Sequence, residues 1–212
     1  MINIIIDNDN GFYRLGFQTL LSKIFLERFG KKTTFTSGID TLSAAKADVI
    51  IMKLAPGESG VCHPALYARR KGSLIIGDYE VVRKPYIDEL PLCFENMIFI
   101  NRNEPITLLT ERIVDGWEHC SDKAITASQW QCLACGHKTL SPQQIKVATH
   151  YSQGSSPHQI AQSLDINIKT VFAHKRIIMG KFNLNSDCEL LRLLNVMNKL
   201  KNNVSAIPIM NI

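Results

Sequence analysis

The sequence predicts two folds in one chain: an α/β domain built on a doubly wound parallel sheet, then an all-α domain of four helices. Three observations predict it. Over the first half, short apolar runs alternate with amphipathic segments, the pattern of strands buried on both faces and joined by helices. From Ser141 onward that alternation stops, and helical periodicity interrupted by short polar turns takes its place. The charge divides there too. Residues 1–120 hold 14 Lys+Arg against 15 Asp+Glu, whereas residues 121–212 hold 10 against 4. The excess positive charge therefore lies in the helical part, as expected of a domain that meets an acidic polymer.

The runs at residues 2–6, 49–52, 73–76 and 97–100 are short and apolar or β-branched, with turn-prone or polar residues after them, and are expected as strands. Residues 12–29 carry Leu15, Leu20, Leu21, Ile24 and Phe25 at helical spacing and stop at Gly30 before Lys31 and Lys32. Residues 105–117 put Ile106, Leu109, Ile113 and Trp117 on one helical stripe. Residues 61–71 fit no single element, and residues 83–91 read as an irregular connection. No apolar run approaches the roughly 18 residues that span a bilayer, and the start lacks a basic n-region. Six cysteines are too sparse for a disulfide scaffold. A soluble, reduced protein of the cytoplasm is the expectation, with no membrane partner.

Ser141-Pro142-Gln143-Gln144 supplies an N-cap, a proline at the first helical position and a capping-box Gln, and Ser156-Pro157-His158-Gln159 repeats that chemistry. The second of these helices carries Ile160, Ala161 and Leu164. After a turn of Asp165-Ile166-Asn167, a third helix runs to about Phe182, and Ser186 with Glu189 caps a fourth bearing Leu190, Leu191, Leu194, Met197 and Leu200. A short helix, a tight turn and a longer basic helix make a helix-turn-helix, the arrangement that places its second helix in the major groove of DNA. On that helix Val171, His174, Ile178 and Phe182 are expected to face the core, with Lys169, Phe172, Ala173 and Arg176 outward and Lys175 beside them. Lys and Arg can bridge to guanine acceptors or phosphates, while Phe172 and Ala173 suit a thymine methyl. The candidate DNA-binding stretch is Ser156 to Lys175, with Lys169, Thr170, Phe172, Ala173, Lys175, Arg176 and Lys181 as contacts and double-stranded DNA as partner. A solvated face gives the same charge count; the motif and the charge division together favour DNA. His174 fits a polar core or a phosphate contact better than catalysis. On the fourth helix Leu193, Val196 and Leu200 form an adjacent stripe, expected to meet a second subunit.

Leu140 through Leu191 resembles the helix-turn-helix domain of LuxR/FixJ (NarL-type) response regulators. The landmarks are Leu140-Ser141, Gly154, Ile160-Ala161, Leu164, Ile166, Lys169-Thr170-Val171, His174 and Lys181-Phe182 with Leu184. Residues 168–175, followed by Met179 and Lys181-Phe182, are similar to the Rcs capsule-synthesis regulators. The chain departs from the pattern at Gln143-Gln144, where the family usually has Arg-Glu, and at Phe172, where it often has a DNA-contacting Lys.

The first domain resembles the phosphoacceptor (receiver) domain that precedes such modules, with its chemistry degenerate. The resemblance implies paired metal-binding carboxylates at Asp7, Asn8 and Asp9, where Asn8 has lost one. It puts Lys53 at the phosphoacceptor position, or Met52 if counted back from Pro56. Gly77 stands where a Ser or Thr switches, and Arg102 replaces a Lys. Neither an ammonium nor a thioether supplies the nucleophile or the hard oxygen that aspartyl phosphate and Mg²⁺ require. Lys53 is expected either to pair with Asp7 or Asp9 or to snorkel to the rim.

The cysteines add one metal-like feature. Cys132 and Cys135, with His137 and Cys120 (or His119), could hold zinc, although the second CxxC of a usual site is missing. Cys62, Cys93 and Cys188 are expected to pack. No cofactor is expected. The predicted organisation is a receiver-like domain at 1–118, a linker at 119–137, the helix-turn-helix domain at 138–201 and a tail at 202–212. The function expected is a non-enzymatic, phosphorylation-independent transcription regulator, acting as a homodimer or with a partner regulator. The alternative is a co-regulator that works mainly by heterodimerising and binds DNA weakly alone.

Overall fold

A computed structural model describes residues 1–80, 90–122 and 136–203. They divide into two compact units. The first holds Met1–Leu54 and the described residues from His63 to 122; the second holds Ala55–Cys62 and the described residues from Gly136.

In the first unit, β1 (Ile2–Asp7), β2 (Thr33–Thr36), β3 (Val49–Leu54), β4 (Leu74–Tyr79) and β5 (Met97–Asn101) form a wholly parallel sheet in the order β2-β1-β3-β4-β5. The side-chain period of two sorts each strand between faces. Ile4, Ile6, Val49, Ile51, Leu74, Ile76 and Ile100 pack beneath α1 (Gly11–Phe29) and α3 (Ile106–Asp122), against Phe17, Leu21, Ile24, Phe25 and Ile113. Asn10 caps α1 by accepting the Tyr13 N–H at 3.1 Å, and Gly30 ends it in the left-handed region at φ 64°. The structure adds β2 and the short helix α2 (Thr41–Lys46), which the sequence did not foretell. It places one short 3₁₀ helix, Pro64–Ala68, within residues 61–71 and carries α3 past Trp117. Leu15 and Ile106, expected on apolar stripes, are exposed.

The second unit contains α4 (Pro142–Ser152), α5 (Pro157–Leu164), α6 (Ile168–Lys181) and α7 (Asp187–Asn203). Both predicted capping boxes are present. Val61 joins this unit's core with Ala148, Ile178, Phe182, Leu184, Leu190, Leu193 and Leu194. Gly57 sits at φ 79° so close that an added Cβ would lie 2.9 Å from Leu184 Cδ2. Leu193, expected to face a second subunit, is fully buried in that core, and Leu191, expected on the apolar side, is exposed. Leu190, Leu193, Leu194 and Met197 form the i, i+3, i+4, i+7 face of a helix packed on one core. Leu193 is therefore not a dimer contact.

Candidate nucleic-acid interface

α5 and α6 are set by local chemistry. Ser156 accepts the Gln159 N–H at 3.3 Å while Gln159 accepts the Ser156 N–H at 2.7 Å. Asp165 takes the left-handed conformation at φ 51° that stops α5, and the Ile166 N–H returns to the Ala161 carbonyl at 3.0 Å. Asn167 then caps α6 by accepting the Lys169 N–H at 2.8 Å. The turn between the helices is thus closed by three side-chain or backbone caps in a row.

With its caps fixed, α6 shows a sharp division. Val171, Ile178 and Phe182 are buried, the first against Val147 and Ile160. His174 is half-buried with Nδ1 enclosed. Lys169, Thr170, Phe172, Ala173, Arg176 and Ile177 are exposed. Lys169, Ala173 and Arg176 recur at i, i+4 and i+7, one continuous outward stripe.

Two predicted contacts lie elsewhere. Lys175 bonds Asp187 at 2.5 Å and lies over the Tyr151 ring, 5.6 Å from its centroid; its side chain is 16% exposed. Burial first, then the Asp187 carboxylate, pushes the Tyr151 hydroxyl above its usual range. Lys181 donates to the Thr139 carbonyl at 2.6 Å. Each ammonium group thus makes one bond within the unit. Ile177 is the residue that sequence reasoning missed: it is half exposed beside Ala173, and only its neighbour Ile178 belongs to the core.

The sheet unit's carboxyl edge is the second site. Register sets Lys53 beside Asp78 and Asp78 beside Ile100, whereas Gly77 lies one residue deeper, beside Met52 and Phe99. An added Cβ at Gly77 would lie 2.7 Å from Leu54 Cδ1. Asp78, not Gly77, is therefore the β4 residue beside Lys53. Arg102 Nε donates to Asp78 Oδ2 at 2.8 Å, and its Nη1 to Glu80 Oε1 at 2.6 Å. The guanidinium lies over Tyr13, 4.8 Å from the ring centroid. Burial works against the Arg102 charge, yet Asp78 and then Glu80 hold its pKa above the ordinary value. Burial, followed by the Asp78 carboxylate, drives the Tyr13 hydroxyl far above its usual range. Lys53 finds its carboxylate on Glu80 at 3.2 Å, where the sequence suggested Asp7 or Asp9. Both of those groups are well exposed, so the pair adds little stability. Asn8 accepts the Asn10 N–H at 2.9 Å, acting as a turn former, and Asp9 is exposed.

Cys132 and Cys135 lie outside the described residues. Cys120 is buried in the sheet unit's core, and no group of three His, Cys, Asp or Glu fit to hold a metal occurs among the described residues. Cys62 and Cys93 are buried, and Cys188 is exposed.

The described residues thus hold a five-stranded parallel sheet with its helices and a helix-turn-helix unit. Residues 138–194 match the model of bacterial regulatory proteins of the luxR family. The oxygen regulatory protein NreC of Staphylococcus epidermidis is 26% identical over 214 residues, covering 90% of this chain and 95% of its own. The transcriptional activator protein BglJ of Escherichia coli is 40% identical over 60 residues, 28% of this chain and 27% of its own. RcsB of Salmonella enterica serovar Typhimurium, solved on the promoter P1flhDC, shares the fold with a TM-score of 0.59 at 19% identity, covering 92% of this chain and 98% of that one. Among the described residues no helix is long and apolar enough to cross a membrane.

Proposed function

We propose that this regulator binds its operators by laying α6 in the major groove, as a dimer with itself or with a partner regulator, and that it does so without phosphorylation of its sheet domain. The observation that carries the reading is the exposed stripe of Lys169, Ala173 and Arg176 on a helix whose opposite face is core. A helix presented in this way by a helix-turn-helix puts its N-terminal half against base edges. With Lys175 and Lys181 engaged inside the unit, Lys169 and Arg176 are the cations best placed to reach bases or phosphates. Lys169→Ala and Arg176→Ala should each weaken specific binding by about 1–3 kcal/mol if they reach base edges. If they touch only phosphates, the loss should be equal on random DNA and the salt slope should fall instead. Lys175→Ala should weaken binding alike on specific and random DNA, because it leaves the Asp187 charge unpaired beside the interface. Anisotropy titrations on duplexes recovered by genome-wide footprinting measure all three, and no binding to any recovered duplex overturns the reading.

Independence from phosphorylation is supported by the ion pairs at the carboxyl edge of the sheet. Lys53 offers no carboxylate to accept a phosphoryl group, and Asn8 offers none to hold a divalent metal. Incubation with labelled acetyl phosphate and Mg²⁺ should leave the protein unlabelled and its operator affinity unchanged. Stoichiometric, acid-stable and base-labile label would refute this part.

A further inference from the structure

We infer that α6 selects operators by the 5-methyl groups of thymine, with Phe172 and Ile177 as the residues that read them. The inference rests on the reading of α6 as the major-groove helix and adds the chemistry of the sites it prefers.

Among the described residues of the helical unit, three large apolar side chains are exposed: Phe172 at 46%, Ile177 at 50% and Leu191 at 41%. Two of the three lie on α6. With about 100° of rotation per residue, Lys169, Ala173 and Arg176 occupy the middle of the exposed face, and Phe172 and Ile177 its two edges. The helix thus presents two cations and a small residue between two apolar shoulders. Ile178, one position on, completes the core, so Ile177 is not needed there.

The major groove offers one apolar feature to such a surface. Guanine, adenine and cytosine present acceptors and donors, and thymine alone adds a methyl group. A phenyl ring or a sec-butyl group set against a G·C edge covers acceptors without replacing their bonds to water, which is unfavourable. Set against thymine, it buries a methyl. Lys175 is paired with Asp187, and on the exposed face itself the cations Lys169 and Arg176 stand between the two apolar side chains.

The test uses the full-length protein and duplexes selected from a random-sequence pool. Each thymine of the enriched sequence is replaced in turn by deoxyuridine, which removes the 5-methyl and nothing else. Two positions per half-site should lose about fourfold in affinity, the worth of one buried methyl. Phe172→Ala should bind the thymine and deoxyuridine duplexes alike at one of these positions, and Ile177→Ala at the other. Both side chains are exposed, so both variants are expected to keep the wild-type melting temperature. If deoxyuridine is tolerated everywhere in an enriched sequence, or both variants keep the methyl preference, the inference is wrong and the apolar shoulders serve another partner, such as a protein. If no sequence is enriched at all, the reading of α6 as the groove helix has failed instead.

Discussion

Leu193→Ala is expected to destabilise the helical unit by about 2–5 kcal/mol, the cost of emptying a leucine-sized space in a packed core. Leu193 is fully buried, in the cluster formed by Ala148, Ile178, Phe182, Leu184, Leu190 and Leu194. Ile178 belongs to α6 and Phe182 caps its end, so the space lies directly behind the helix that carries the exposed stripe. The loss should appear in urea unfolding followed by circular dichroism, as a lower midpoint with little change in slope. DNA affinity measured at low temperature, where the unit stays folded, should fall far less. A variant with an unchanged midpoint would return Leu193 to the surface and revive it as a subunit contact.

What the sequence disclosed was mostly what is decided locally. The capping boxes at Ser141 and Ser156 and the left-handed stop at Gly30 depend on residues within a few positions of each other, and all three are present. Buried strands were legible because their apolar runs are continuous. Thr33–Thr36 escaped because it is short and polar on alternate positions, at the sheet's edge, where neighbours rather than propensity decide. The misses at the two sites have one cause. Whether Gly77 or Asp78 stands beside Lys53 depends on the register of β3 against β4, which no local pattern records. Lys175 looked free because its partner Asp187 lies 12 residues on, across a turn. Ile177 is not legible because two adjacent isoleucines look alike in sequence, and only the rotation of the helix puts Ile178 in the core and leaves Ile177 exposed.

The register also shows which side chains meet at the carboxyl edge of the sheet. In the resemblance, the carboxyl edge of the sheet is the place for a metal and a phosphoryl group. Here Asp78 is buried at that edge with a side chain fully out of water, and it needs a positive partner. Arg102, stacked on Tyr13 and bonded to Asp78 and Glu80, supplies it from the loop after β5. Lys53 extends the chain of charges to β3 through Glu80. The edge is tied together by side chains of the protein itself.

Arg102→Ala should therefore be costly, and more so than a count of its hydrogen bonds would suggest. Removing one member of a buried pair leaves the other charge without compensation, which typically costs about 3–5 kcal/mol. Arg102 is 25% exposed, and water entering its place would solvate Asp78 in part, so the lower end of that range, about 3 kcal/mol, is the expectation. The double variant Arg102→Ala/Asp78→Ala has no stranded charge and should be more stable than Arg102→Ala alone, so the two changes are strongly non-additive. Urea unfolding of the wild type, both single variants and the double variant measures the coupling. Lys53→Ala, which breaks only an exposed pair, should shift the midpoint by less than about 1 kcal/mol in the same series. Additive losses at Arg102 and Asp78 would mean that the guanidinium stabilises the edge by packing on Tyr13 rather than by holding the carboxylate.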